Sequence, residues 1–201
     1  TTLFRSISVD AYDLGHVLSG GEGANGGIGL PFSCAADSHL FKLTGASAID
    51  EPIGDPFWVD YVAHEIGHQF YADHSYNVSA GVCTTRVAST AFEPGSGSTI
   101  MSYAGLCEEQ NLQENVDAMF NAGAYEQIRD FSTNPDSLGS SCAELVATGN
   151  TAPTVEAGGN FTIPRDTPFT LTASVSDAEQ DQNAITMSWE QVGFADTASG
   201  G

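Results

Sequence analysis

The 201-residue chain carries 26 acidic against 5 basic side chains, a formal charge of −21. Such a surface repels phosphate backbones, which excludes nucleic acid as a partner. Hydrophobic residues make up 41%, enough for a sizeable core, and no apolar run is long enough to span a bilayer. In chain order, Tyr12–Leu18 reads as a strand bounded by Gly20 and Gly21, with His16 a strand residue rather than a ligand. The glycine-rich run that follows lacks the GK[ST] ending of a phosphate loop and reads as a flexible turn. Gly27, Ile28, Gly29 and Leu30 form a short strand. Pro31 cannot donate a ladder bond, which sets that strand at a sheet edge. An edge strand beside a cleft pairs with extended peptides, so these four are candidate substrate-binding residues.

His39–Leu43 predicts a further strand, with His39 at the surface. Asp55 and Pro56 mark a helix start, the first as a cap and the second at the opening helical position. The helix is expected to run to about Phe70, with Val59, Val62, Ala63, Ile66 and Phe70 as its core-facing stripe. Residues 77–98 read as loop, 98–103 as a tight turn, and Ala122–Phe131 as a second amphipathic helix presenting Tyr125, Ile128 and Phe131. The expected division is a first domain over residues 1–146, a linker over 147–153, and a β-patterned segment over 154–201 resembling the front of an Ig-like or PKD-type sandwich. The four cysteines include no CxxC pair. Their even number on an acidic, lysine-poor chain predicts two disulfides and a secreted, extracellular protein. Spacing does not choose among the three pairings; the expected one is Cys83 with Cys107 and Cys34 with Cys142.

The chemistry concentrates in HEIGHQFYADH, His64 to His74. His64 and His68 stand four apart and share a helix face, and the chain must turn back after His68 to deliver His74. Three neutral imidazoles with one position left open suit catalytic rather than structural zinc. Zinc lowers the pKa of a bound water to ~7, and Glu65 beside the ligands is placed to act as general base. Calcium is compatible with so acidic a chain, although no EF-hand or glycine–aspartate repeat is present.

This stretch, with the downstream STIMSYAG, resembles the metzincin zinc peptidases, whose pattern is HExxHxxGxxH followed by a Met-turn. The surrounding YDLGHVLSGG, GDPFWVDYVAHEIGHQF and EPGSGSTIMSYAGLC are similar to bacterial secreted reprolysin-like metallopeptidases. The resemblance covers roughly residues 10–132. It implies an α+β catalytic domain in which a twisted sheet, an active-site helix and a C-terminal helix flank a cleft. It implies zinc on His64, His68 and His74, Glu65 as base, Met101 as an apolar floor under the metal, and a protein or peptide substrate. In the astacin- and serralysin-like branches a tyrosine two places after the methionine binds zinc or steadies the oxyanion, which makes Tyr103 a candidate transition-state donor. The family's first strands and long helix precede the region where this chain starts, so the chain reads as an internal fragment, truncated at its N-terminus. One departure lies within the motif. Tyr71 stands where the family has glycine, at a turn that calls for positive φ. Two readings follow: a secreted zinc endopeptidase, or a catalytically impaired extracellular binding or adhesion module that keeps the fold.

Overall fold

Glycine lets a sheet approach a helix closely, and that governs how this domain is built. The computed structural model describes residues 8–31, 33–34, 42–79, 81–142, 144 and 146–191. Strands β1 (His16–Gly20), β2 (Asn25–Gly29) and β3 (Gly45–Ile49) form one sheet in the order β1-β3-β2. β1 runs parallel to β3 with His16 opposite Gly45, and β2 runs antiparallel to it with Gly29 opposite Gly45. A Cβ at Gly27 would fall on the Glu65 carboxylate, one at Gly29 on the Glu65 carbonyl, and one at Gly45 on the Gln69 side chain. Side chains at these positions would therefore hold the sheet away from the helix.

The strand expected at Tyr12–Leu18 starts later, at His16, and runs to Gly20. His16 is indeed a strand residue. One ring nitrogen lies 2.8 Å from Gln69 Oε1 and the other 2.9 Å from Ser47 Oγ, a polar staple between sheet and helix. Within the expected His39–Leu43 strand, His39, Leu40 and Phe41 lie outside the described residues. Lys42 and Leu43 are not extended, and the strand begins instead at Gly45. Lys42 is buried, with its ammonium donating to the Tyr12 carbonyl at 2.8 Å.

The active-site helix is continuous but changes pitch. It opens as α1 (Gly54–Phe57), widens to a π-helical segment (Trp58–Ala63), and closes as α2 (His64–Gln69). Asp55 does not cap it. Ile53 precedes the first helical residue and no side-chain cap bond is made. The chain enters through Gly54 at φ +69°, so Asp55 and Pro56 are already inside the first turn. The expected apolar stripe is only half-buried, whereas His64, Glu65, Gly67 and Gln69 are buried. The close glycine-lined sheet covers the face that carries the polar motif, which hydrophobic periodicity alone does not reveal.

Beyond the helix, β4 (Tyr76–Asn77) and β5 (Glu93–Pro94) pair in parallel. Helix α3 (Ala122–Thr133) is capped by Asn121, whose side chain accepts from the Ala124 amide. Ala72, Ile100, Met101 and Ala124 form the buried core between the two helices. Of the three residues expected on the inner side of α3, Phe131 is buried, Ile128 is half-buried and Tyr125 is exposed. Disulfides join Cys34 to Cys142 and Cys83 to Cys107.

The chain divides into two units, residues 1–143 with 190–201, and residues 144–189. In the second, β6 (Thr154–Glu156) and β7 (Ser174–Ser176) pair antiparallel. Residues 161–173 alternate in sequence but form no ladder, and Phe161, Ile163 and Phe169 are exposed. A strand holds its geometry only against a partner.

Candidate metal centre

His64 and His68 rise from one face of α2, one turn apart. His74 reaches them because the helix ends in a sharp reversal. The Tyr71 amide donates to the His68 carbonyl and the Ala72 amide to the Gly67 carbonyl, each at 3.0 Å. This is the paired Schellman closure, which requires a left-handed residue at its turn. Tyr71 fills that role at φ +74°. Its ring stacks on Phe131, with centroids 5.8 Å apart and planes 14° from parallel.

The imidazoles converge. Ring centroids lie 4.8 Å apart for His64–His68, 5.2 Å for His64–His74 and 4.6 Å for His68–His74. One ligand atom from each lies within 4.8 Å of the other two. The far nitrogens define the tautomers. His64 Nδ1 donates to the Ile100 carbonyl and His68 Nδ1 to the Ala72 carbonyl, both at 2.6 Å. A carbonyl only accepts, so both Nε2 atoms carry free lone pairs. His74 Nδ1 faces Thr85 Oγ1 at 3.4 Å, and its Nε2 lies 3.0 Å from that of His68. Burial holds all three imidazoles below their ordinary pKa, His74 down to about 4. They are therefore neutral at pH 7, the form that ligates metal. With zinc–nitrogen bonds of ~2.0–2.1 Å, this donor set fits one zinc ion. It is the one cluster of three or more potential metal-ligating side chains among the described residues.

Three supports surround the ligands. Met101 is fully buried, and a Cβ on Gly67 would meet its sulfur, so it lies directly beneath the turn carrying His68. Tyr103 stands with its ring 4.6 Å from His74 and 5.6 Å from His64. Its hydroxyl bonds Thr85, and burial raises its pKa. Glu65 is buried and lines the same cavity as His64 and Tyr103, and burial raises its pKa to about 7. Gly27 lines that cavity too, and Gly29 lines a smaller one with His68. Ile28 and Leu30 are exposed along the β2 edge.

Other contributors are not apparent from spacing. Thr85 bonds Tyr76 at 2.6 Å, the Tyr103 hydroxyl and the His74 ring. Glu93 gathers the Ser98 and Thr99 amides at 2.9 and 3.1 Å, the Thr99 hydroxyl at 2.7 Å, the Ser75 hydroxyl and the Asn121 amide group. It thereby ties the residue after His74 to the turn that supplies the Ile100 carbonyl. The one sequence signal was a lone carboxylate ahead of a Gly/Ser/Thr run rich in donors.

This convergence of three neutral imidazoles, a buried carboxylate and a methionine floor defines a metallohydrolase-type centre. The model of the M12B reprolysin-like metallopeptidases matches residues 2–130. The chain belongs to that family, and its histidine triad fits a zinc site. Searches among curated proteins and among solved structures returned no match.

Proposed function

We propose that the chain is a secreted zinc endopeptidase, with Glu65 as general base. The observation that carries this reading is the shared cavity of about 560 Å³, where Glu65 stands beside His64 at the triad. A zinc ion bound there supplies Lewis acidity and acidifies water. His64, His68 and His74 hold it through nitrogens left free by their carbonyl and hydroxyl partners. Glu65 takes a proton from the attacking water and hands it to the leaving amine. Burial pushes the Glu65 carboxyl up, and a dication bound beside it would draw it down again toward the ionised form that accepts the proton. Tyr103 directs its hydroxyl toward the charge that develops on the carbonyl oxygen. The β2 edge from Gly27 to Leu30 aligns an extended peptide by main-chain pairing. Two disulfides support an oxidising, extracellular setting.

The alternative of an impaired binding module rests on Tyr71 and on the expected truncation; the second ground stays with the activity test, and the first is the one the reversal bears on. That ground weakens, because the reversal containing Tyr71 still delivers His74 to the cluster. The test is hydrolysis of an unfolded protein by the zinc-loaded chain, with and without chelator, beside Glu65→Ala. Cleavage that disappears in both is expected, with at least a 100-fold loss for the variant. A folded, zinc-loaded wild type that cleaves nothing would favour the binding module. Full activity in Glu65→Ala would remove the proposed base.

A further inference from the structure

The cavity beside the triad has an unusual combination of walls. It is bounded by the active-site helix, by the start of β2, and by the segments after Met101. Ile49, Val82, Leu106 and Val116 give it an aliphatic lining, while Asp60 and Glu114 add carboxylates. Asp60 lies in the π-helical segment, four residues ahead of His64, and both line this cavity. Its Oδ1 accepts a single long bond, 3.3 Å from the Val116 amide. Half-burial raises its pKa to about 6, and neighbouring Asp55 adds to the rise. No lysine or arginine lines the cavity among the described residues.

We propose that this cavity selects a lysine or arginine side chain beside the scissile bond, with Asp60 as the specificity-determining residue and Glu114 as a second carboxylate. The inference rests on the peptidase reading. A long cationic side chain matches both features of the wall: its methylene stem lies along the aliphatic side chains while its charged head reaches the carboxylates of Asp60 on the helix and Glu114 after Met101. A leucine there would leave Asp60 with its single amide bond. An acidic side chain would be repelled, so the same groups that attract one class reject another.

The test uses the zinc-loaded chain and two quenched fluorogenic peptides differing only in lysine or leucine at the two positions flanking the scissile bond, with the cut site read by mass spectrometry. Asp60→Asn keeps an oxygen for the Val116 amide and removes only the charge. The expected result is a kcat/KM ratio of lysine to leucine of about 10 or more, falling about tenfold in Asp60→Asn and shrinking with added salt. A purely structural role for Asp60 would lower both substrates together and leave the ratio intact. Parity in the wild type, or an unchanged ratio in the variant, overturns the proposal. The peptidase reading stands or falls with the unfolded-protein test; where neither peptide is cut, the cavity is read by fluorescence anisotropy with the same two peptides. A tenfold tighter lysine peptide, lost in Asp60→Asn, upholds charge selection; equal binding overturns it.

Discussion

Tyr71 holds a left-handed backbone that costs a non-glycine residue roughly 1–2 kcal/mol, and its stacked ring returns part of that through Phe131. Two substitutions separate the contributions. Tyr71→Ala keeps the backbone strain and loses the stack, whereas Tyr71→Gly loses both. Tyr71→Gly is therefore expected to exceed Tyr71→Ala in stability by about 1 kcal/mol in urea unfolding of the metal-free chain. The neighbouring Glu65 gives a pH test. Its folded pKa is raised from 4.5 to about 7, so between those values the fold retains a proton that the unfolded chain releases. Its contribution to stability thus declines as pH rises from 4.5 to 7. The depressed histidines act oppositely, losing stability as pH falls below 6.5, but they are common to wild type and Glu65→Gln. Metal-free Glu65→Gln should accordingly gain on wild type between pH 5 and 7.5, by on the order of 2 kcal/mol. Unfolding midpoints at the two pH values measure it.

Among the elements, Glu93 does most to join pieces distant in sequence. It sits on β5, and its carboxylate gathers donors from the segment after His74, from the turn before Met101 and from the cap of α3. Glu93→Gln replaces one acceptor oxygen with a donor that must face other donors. A loss of about 2 kcal/mol in stability is expected. Zinc affinity, read by chelator competition, should weaken with it. Unchanged affinity at reduced stability would limit Glu93 to the scaffold. The same elements explain what sequence could and could not reveal. The convergence of His64, His68 and His74 was legible because its geometry is local, four residues apart on a helix and six across a reversal. The edge position of β2 was legible from Pro31. Glu93 and Thr85 were not, since their partners lie across the fold and hydrogen bonds between loops leave no periodic trace. The misplaced helix cap has a similar cause. Asp55-Pro56 is a good opening for a helix, but the chain already turns at Gly54.

At the scale of the molecule, the first unit is tied by two disulfides spanning 24 and 108 residues. Loop-closure entropy assigns each about 3–5 kcal/mol. The shorter one also has a local role. Cys83 lies two residues before Thr85 and Cys107 four after Tyr103, so the bond holds Thr85 against the rings of His74 and Tyr103. Reduction is expected to lower the melting temperature and also to weaken zinc binding. A reduced protein that melts earlier yet binds zinc as before would show that Thr85 needs no such bracing.

The reversal at Tyr71 also bears on the order in which the centre assembles. The acceptor that aims His68 is the Ala72 carbonyl, four residues away inside the reversal itself. The acceptor that aims His64 is Ile100, 36 residues away. Short loops close at far lower entropic cost than long ones. Loop closure thus favours aiming His68 before His64, with His74 only six residues beyond it. The first two ligands, His68 and His74, are therefore expected to be held together by the reversal itself, and the turn bearing Ile100 and Met101 to complete the set.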